Sequence, residues 1–164
     1  MSSKRSIFLD VSGDTDPDAR WMPAWLALVR THARLWDQAE AQMRSASALS
    51  MARYDVLMQL DTRGGRLRLS ELATTIVLSP SGLSKLLDRM EAAGLLRREP
   101  DPRDARSTFA RITPRGRSLV RAAREHHHAW LQQAFGDVLD DRDITDLNRI
   151  LQRLDPRGPT TSSG

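Results

Sequence analysis

The chain has no cysteine among its 164 residues. Disulfide staples, thiolate zinc sites and thiol-based redox sensing are therefore excluded. No apolar run approaches the ~20 residues that a membrane span needs, because charges interrupt every hydrophobic stretch. Lys4 and Arg5 are followed by no apolar core segment, so no signal peptide is expected. A phosphate-binding glycine loop, a nucleophile motif and a paired-carboxylate signature are missing as well, which argues against an enzyme, and no cofactor is expected. Lysine is nearly absent, occurring only at Lys4 and Lys85. These absences lead to the expectation of a soluble cytoplasmic protein with no membrane partner. Its length suits one domain, or one domain with a dimerising extension, that buries a core without staples.

The basic residues that are present are unevenly placed. The formal net charge is +4. Between Arg66 and Arg115 there are ten basic residues (Arg66, Arg68, Lys85, Arg89, Arg97, Arg98, Arg103, Arg106, Arg111 and Arg115). Six acidic residues (Glu71, Asp88, Glu91, Glu99, Asp101 and Asp104) accompany them, so this stretch carries the whole excess. Arginine suits bidentate phosphate contacts. An arginine-favouring codon composition also accounts for the excess, but not for where it falls.

Hydrophobic spacing and local caps divide the chain. Residues 1–18 read as a flexible polar arm in which Ile7, Phe8 and Leu9 are suited to dock on a partner subunit. Within 19–48, Trp25, Leu28, Val29, Leu35, Trp36, Ala39 and Met43 recur at helical spacing, predicting one long amphipathic helix from Asp18 to about Ala46. Ser50 caps a second helix carrying Tyr54, Val56, Leu57 and Leu60, which stops at Gly64-Gly65. A brief strand over 66–69 follows, then a short helix from Glu71 to Ile76 capped by Ser70. Ser79-Pro80 opens the next helix, whose apolar face is Leu83, Leu86, Leu87 and Met90 and which ends at Gly94. Strands are expected over 95–98 and 108–112, separated by a charged turn holding Pro100 and Pro102. Thr113-Pro114 repeats the cap-plus-proline signal and starts a long helix with Leu119, Ala123, Trp130, Leu131, Ala134 and Phe135 as its stripe. Ile144, Leu147, Ile150, Leu151 and Leu154 form a last amphipathic helix, and 156–164 is a polar tail.

The resulting fold class is mainly α with a small β wing. Its order is helix, helix, strand, helix, helix, strand, strand, helix, helix, and its middle is a winged helix-turn-helix over 49–113. Helices at 19–48 and 114–155 flank it and are read as dimerisation elements, since their apolar stripes need partners. In a helix-turn-helix the second helix enters the major groove and its N-terminal residues reach base edges. Here these are Ser79, Ser81, Gly82, Ser84 and Lys85, with Arg89 one turn beyond Lys85 on the same face. Small hydroxyls bond base edges or phosphates, Gly82 removes bulk at the approach, and Lys85 and Arg89 reach phosphates or a guanine edge. Asp101-Pro102-Arg103-Asp104-Ala105-Arg106 then sets Arg103 and Arg106 on a hairpin tip, with Asp101 and Asp104 placed to brace them. An arginine on such a tip suits a narrow minor groove. A capped helix and a salt-bridged turn, both merely solvated, are the plainer readings of the same residues.

Across Trp25 to Leu154, and most strongly from Ser70 to Gly116, the sequence resembles the MarR family of regulators. Leu72-Ala73 through Ser84 is similar to the family's helix-turn-helix. Asp88-Arg89-Met90-Glu91 and Gly94-Leu95-Leu96 are similar to the end of its recognition helix and the start of its wing. Asp101 to Arg106 matches its wing motif, and Ile112-Thr113-Pro114-Arg115-Gly116 its exit from the wing. Val77 stands where the family often has glycine, so the turn geometry is expected to differ slightly. The resemblance implies a homodimer that binds double-stranded DNA at an inverted repeat, as a repressor. It also implies release by a small aromatic or phenolic/carboxylate effector bound between the dimerisation helices and the winged domain. A winged-helix protein-interaction module and a ligand-independent regulator are the alternatives.

For the effector, Trp25, His32, Trp36 and Tyr54 are the candidate wall, because aromatic rings with a histidine suit a planar acid. The same tryptophans at helical spacing also fit an ordinary core. His126-His127-His128 does not read as a metal site, because consecutive helical residues point about 100° apart. A solvated or interface run is the expectation.

Overall fold

A computed structural model describes residues 20–47, 49–76 and 78–155, with the side chains of Ala105 and Arg106 left out. The polar arm, Val77 and the C-terminal tail lie outside the described residues. The chain divides into two compact units, residues 1–37 and 38–164. Ten elements follow in order: α1 (Met22–Ser47), α2 (Met51–Thr62), β1 (Arg66–Arg68), α3 (Leu69–Thr75), α4 (Pro80–Ala92), β2 (Leu96–Asp101), β3 (Asp104–Ile112), α5 (Pro114–Leu131), a π-helical turn (Gln132–Gly136) and α6 (Asp141–Leu154). This is the winged helix-turn-helix order.

In the first unit, Trp21, Trp25, Leu28, Val29 and Trp36 are exposed. The expected α1 stripe is thus buried within the chain only at Ala39 and Met43, both in the second unit. The second unit holds the core. Val56, Leu57 and Leu60 of α2 are completely buried with Leu72, Met90, Val120 and Ala123. Along α4, Leu83, Leu86, Leu87 and Met90 face inward at the three-and-four spacing of a helix with one wet side.

Local chemistry sets the helix starts. Ser50 Oγ accepts the Arg53 N–H at 3.3 Å, Ser79 Oγ the Gly82 N–H at 3.2 Å, and Thr113 Oγ1 the Gly116 N–H at 3.0 Å. Each satisfies a donor that the first helical turn leaves unpaired. The expected Ser70 cap is incorrect. α3 begins two residues earlier than expected, at Leu69, and Glu71 Oε2 reaches back 2.9 Å to the Arg68 N–H. A carboxylate three residues into the helix does the work assigned to the serine.

The three strands form an antiparallel sheet in the order β1-β3-β2. β2 and β3 are longer than expected and reach the wing tip, with a register irregularity between Pro100 and Asp101. Pro100 fits inside β2 because β2 is an edge strand, where a missing N–H breaks no ladder. Leu67, Leu96, Ala110 and Ile112 form the buried face, and Arg66, Arg97, Glu99, Phe109 and Arg111 the other.

The wing meets α5 at a tight junction. The Thr113 hydroxyl donates 2.7 Å to the Gly94 carbonyl, while the Thr113 N–H donates 3.1 Å to the Leu95 carbonyl. Gly94, at φ +68°, ends α4 in the left-handed region. Gly116 packs so closely that a Cβ there would be driven into the Leu95 carbonyl oxygen. The expected α5 stripe holds at Ala123 and, partly buried against the core, at Leu119 and Trp130. Gly116, Val120 and Ala123 are buried, whereas the expected Leu131 is exposed and the α-helix ends before Ala134 and Phe135. The α6 helix has no buried residue.

Gly116→Ala is expected to cost about 1–3 kcal/mol of stability, the range for forcing atoms into a packed site. Urea unfolding of the two proteins measures it, and an unchanged midpoint would show that the junction yields.

Candidate nucleic-acid interface

The exposed side of α4 carries the residues expected to meet DNA. Ser79, Ser81, Ser84, Lys85 and Arg89 are exposed and Gly82 is half-buried. The Ser79 hydroxyl is committed to its cap, 3.4 Å from Ser81 Oγ. A Cβ on Gly82 would lie 3.1 Å from Ser79 Oγ, so the absence of a side chain there also serves the cap.

The C-terminal half of α4 is fixed to β2 by one arginine. Arg98 donates from its backbone to Glu91 Oε1 (2.7 Å) and from its guanidinium to Asp88 Oδ1 (2.7 Å) and Glu91 Oε2 (3.1 Å). The helix and the wing therefore hold a defined orientation to each other. Sequence reading had no means of pairing Arg98 with these carboxylates, although all three residues were in view.

The wing tip is held by Asp101. Its side chain is 4% exposed and its Oδ2 lies 2.7 Å from the Arg68 guanidinium. Its Oδ1 accepts the backbone N–H of Arg103 at 2.9 Å. The carboxylate thus braces the tip through the main chain and through β1. Asp104 Oδ2 accepts the Ser107 hydroxyl at 2.6 Å. Arg103 is left exposed at the turn. The Arg106 side chain lies outside the described residues.

A second group of charges stiffens the outer face of the sheet. Glu99 meets Arg97 at 2.9 Å and Arg111 at 2.8 Å. The Arg111 hydrogen bond, above all, holds the Glu99 carboxyl below its ordinary pKa. Arg66 Nε is 3.4 Å from Glu99 but without hydrogen-bond geometry. That guanidinium instead lies over the Phe109 ring, 3.5 Å from its centroid. Of the basic residues between 66 and 115, five therefore pair internally: Arg66, Arg68, Arg97, Arg98 and Arg111. Lys85, Arg89, Arg103 and Arg115 have no acidic partner among the described residues.

The proposed effector residues fall into two groups. In the first unit, Trp25 and Trp36 are 55% and 47% exposed, and the rings of His32 and Trp36 stack with centroids 6.2 Å apart. In the second, Tyr54 is buried against His127 (5.0 Å, edge-on), which stacks on Trp130 (5.7 Å). Burial raises the Tyr54 pKa and lowers that of His127. Of the histidine run, His127 alone turns inward, while His126 and His128 are exposed. Among the described residues no group of three His, Cys, Asp or Glu is arranged to hold a metal ion.

Comparison with known proteins converges on one family. The MarR family model matches residues 49–108. The HTH-type transcriptional repressor IacR of Pseudomonas putida is 30% identical over 128 residues, spanning 78% of this chain and 74% of its own. The HTH-type transcriptional regulator PecS of Dickeya dadantii is 34% identical over 123 residues, 74% of each chain. Among solved structures, AbsC, a MarR family transcriptional regulator from Streptomyces coelicolor, is similar at TM-score 0.78 and 34% identity, covering 87% of this chain and 94% of its own. Sco3205 from the same organism, determined in complex with DNA, is similar at TM-score 0.78 and 26% identity, covering 87% and 91%.

The depressed His127 pKa makes a signed prediction. The folded chain binds fewer protons than the unfolded chain below the ordinary histidine value, so this stabilising contribution is complete above about pH 6.5 and is lost as pH falls through the folded pKa. His127→Phe keeps a ring between Tyr54 and Trp130. It is expected to lessen the fall in urea midpoint between about pH 7 and pH 5. An unaltered pH slope would remove His127 from this role.

Proposed function

The chain belongs to the MarR family of transcriptional regulators, and from that membership we propose that it is a repressor that binds an inverted-repeat operator as a homodimer. The observation that carries the reading is the sorting of charge. Carboxylates neutralise the arginines that hold the wing block together, while Lys85 and Arg89 on α4 and Arg103 on the wing tip are exposed and have no acidic partner among the described residues. Unpaired cations on one helix and one hairpin tip match a major-groove helix flanked by a minor-groove arginine. The DNA complex of Sco3205 and the repressor name of IacR support the same reading.

Dimerisation is supported by surfaces that one chain leaves open. Ile144, Ile150, Leu151 and Leu154 of α6 are exposed at helical spacing, and α1 exposes Trp25, Leu28, Val29 and Trp36. Apolar stripes of that kind are covered in stable proteins. A two-fold dimer sets its recognition helices one duplex turn apart, about 34 Å, and so selects a palindromic site. No helix among the described residues is long and apolar enough to cross a membrane, and we place the protein in the cytoplasm, where its DNA lies.

The stacked His32–Trp36 pair supports a planar acidic effector, which an imidazole and an indole face would hold.

Fluorescence anisotropy with the DNA upstream of the protein's own gene tests the proposal. Arg103→Ala is expected to weaken binding by about 1–3 kcal/mol. Phenolic and aromatic acids added to the wild-type complex are expected to release the DNA, and Trp36→Ala to blunt release without weakening binding. Unchanged affinity in Arg103→Ala would remove the wing from the interface, and release unaltered in Trp36→Ala would remove the stacked pair from the effector site.

A further inference from the structure

A cleft of about 360 Å³ opens beside the recognition helix, lined by Arg44, Ser50, Arg53, Leu86 and Arg89. Three separate helices contribute its guanidinium groups: the last turn of α1, the first turn of α2, and α4. Leu86 is buried and forms an apolar part of the wall. The Ser50 hydroxyl is committed to the Arg53 N–H.

The charge in this cleft is unbalanced. Glu40 is the carboxylate paired there, and both of its oxygens are occupied. Oε1 takes the Arg44 guanidinium at 2.6 Å and Oε2 takes the Met51 N–H at 2.7 Å. Arg53 and Arg89 have no acidic partner among the described residues. Three arginines line one cleft and a carboxylate pairs with one of them, so the cleft has an excess of positive charge that an anion would balance. The planar fork of arginine matches a tetrahedral phosphate oxygen by oxygen.

We propose that this cleft binds a backbone phosphate of the DNA duplex at the edge of the major groove entered by α4. Arg89 supplies the link, since it lies one helical turn from Lys85 on the exposed side of α4. Arg44 and Arg53 extend the protein–DNA contact beyond the helix-turn-helix and the wing, and the contact is to phosphate, so it fixes position and affinity without reading bases. This inference rests on the DNA-binding reading above.

The test measures dissociation constants of wild type, Arg53→Gln, Arg44→Gln and Arg53→Lys at several salt concentrations, on the upstream DNA and on an unrelated duplex. Circular dichroism melts accompany each variant to confirm that it is folded. Losing one phosphate contact lowers the slope of log affinity against log salt by about 0.9. Arg53→Gln and Arg44→Gln are expected to show that decrease and to bind about threefold to tenfold more weakly at low salt, equally on both duplexes. Arg53→Lys is expected to recover most of the slope. A folded Arg53→Gln with wild-type slope and affinity overturns the inference and leaves the DNA-binding reading standing. Wild type without saturable, salt-dependent binding overturns both. Calorimetric titration with inorganic phosphate separates the sources of the anion. Stoichiometric binding that needs Arg53, together with an unaltered DNA isotherm in Arg53→Gln, would assign the cleft to a free anion and overturn the DNA contact.

Discussion

A carboxylate withdrawn from water has to be matched by donors where it sits, because an unpaired buried charge costs several kcal/mol. Asp101, at the base of the wing tip, is such a group. Its two oxygens take the Arg68 guanidinium from β1 and the Arg103 N–H from the turn. Those two bonds connect the hairpin tip to the strand that leads into α3 and α4. The position of Arg103 relative to the recognition helix follows from them. Arg68 is 42% exposed, so the ion pair is partly screened and its value lies more in geometry than in stability.

The same logic extends through the winged block. Arg98 fixes α4 to β2 through Asp88 and Glu91. Arg117 and Arg124 both reach Asp61, tying α5 to α2 at 2.8 and 2.9 Å. Glu99 gathers Arg97 and Arg111 on the outer face of the sheet. Each acidic residue holds one element against another. Between residues 66 and 115 the cations without an acidic partner among the described residues stand on α4, on the wing tip and at the start of α5, so a modest net charge becomes a directed one. Duplex DNA, with its regular phosphates, is the partner that such a field selects.

Much of this was legible in the sequence wherever the signal was local. The caps at Ser50, Ser79 and Thr113, the glycine stops after α2 and α4, and the inward face of α4 all depend on residues within a turn of one another. Ser70 was misread because two devices compete at that helix start, and Glu71 reaching back to Arg68 prevails over the serine. The length of β2 was missed because proline reads as a strand breaker unless the strand is known to be an edge. Nothing local pairs Arg68 with Asp101, 33 residues on, or Arg98 with Asp88. The bracing role of Asp101 was therefore expected in kind, but without Arg68 among its donors. The stripes on α1 and α6 were visible as apolar periodicity, but periodicity does not tell a face buried within one chain from a face covered by another.

Hydroxyl-radical footprinting of the upstream DNA tests the central claim most directly, because the radical reaches sugars through the minor groove, where the proposed function puts the wing. Wild type is predicted to protect minor-groove sugars flanking each half-site. Asp101→Asn, which keeps the side-chain shape but removes the charge that holds Arg68, is predicted to lose that flanking protection while the central contacts of α4 persist. Identical footprints from a folded Asp101→Asn would contradict the account, since the wing would then reach its groove without the interaction that is said to aim it.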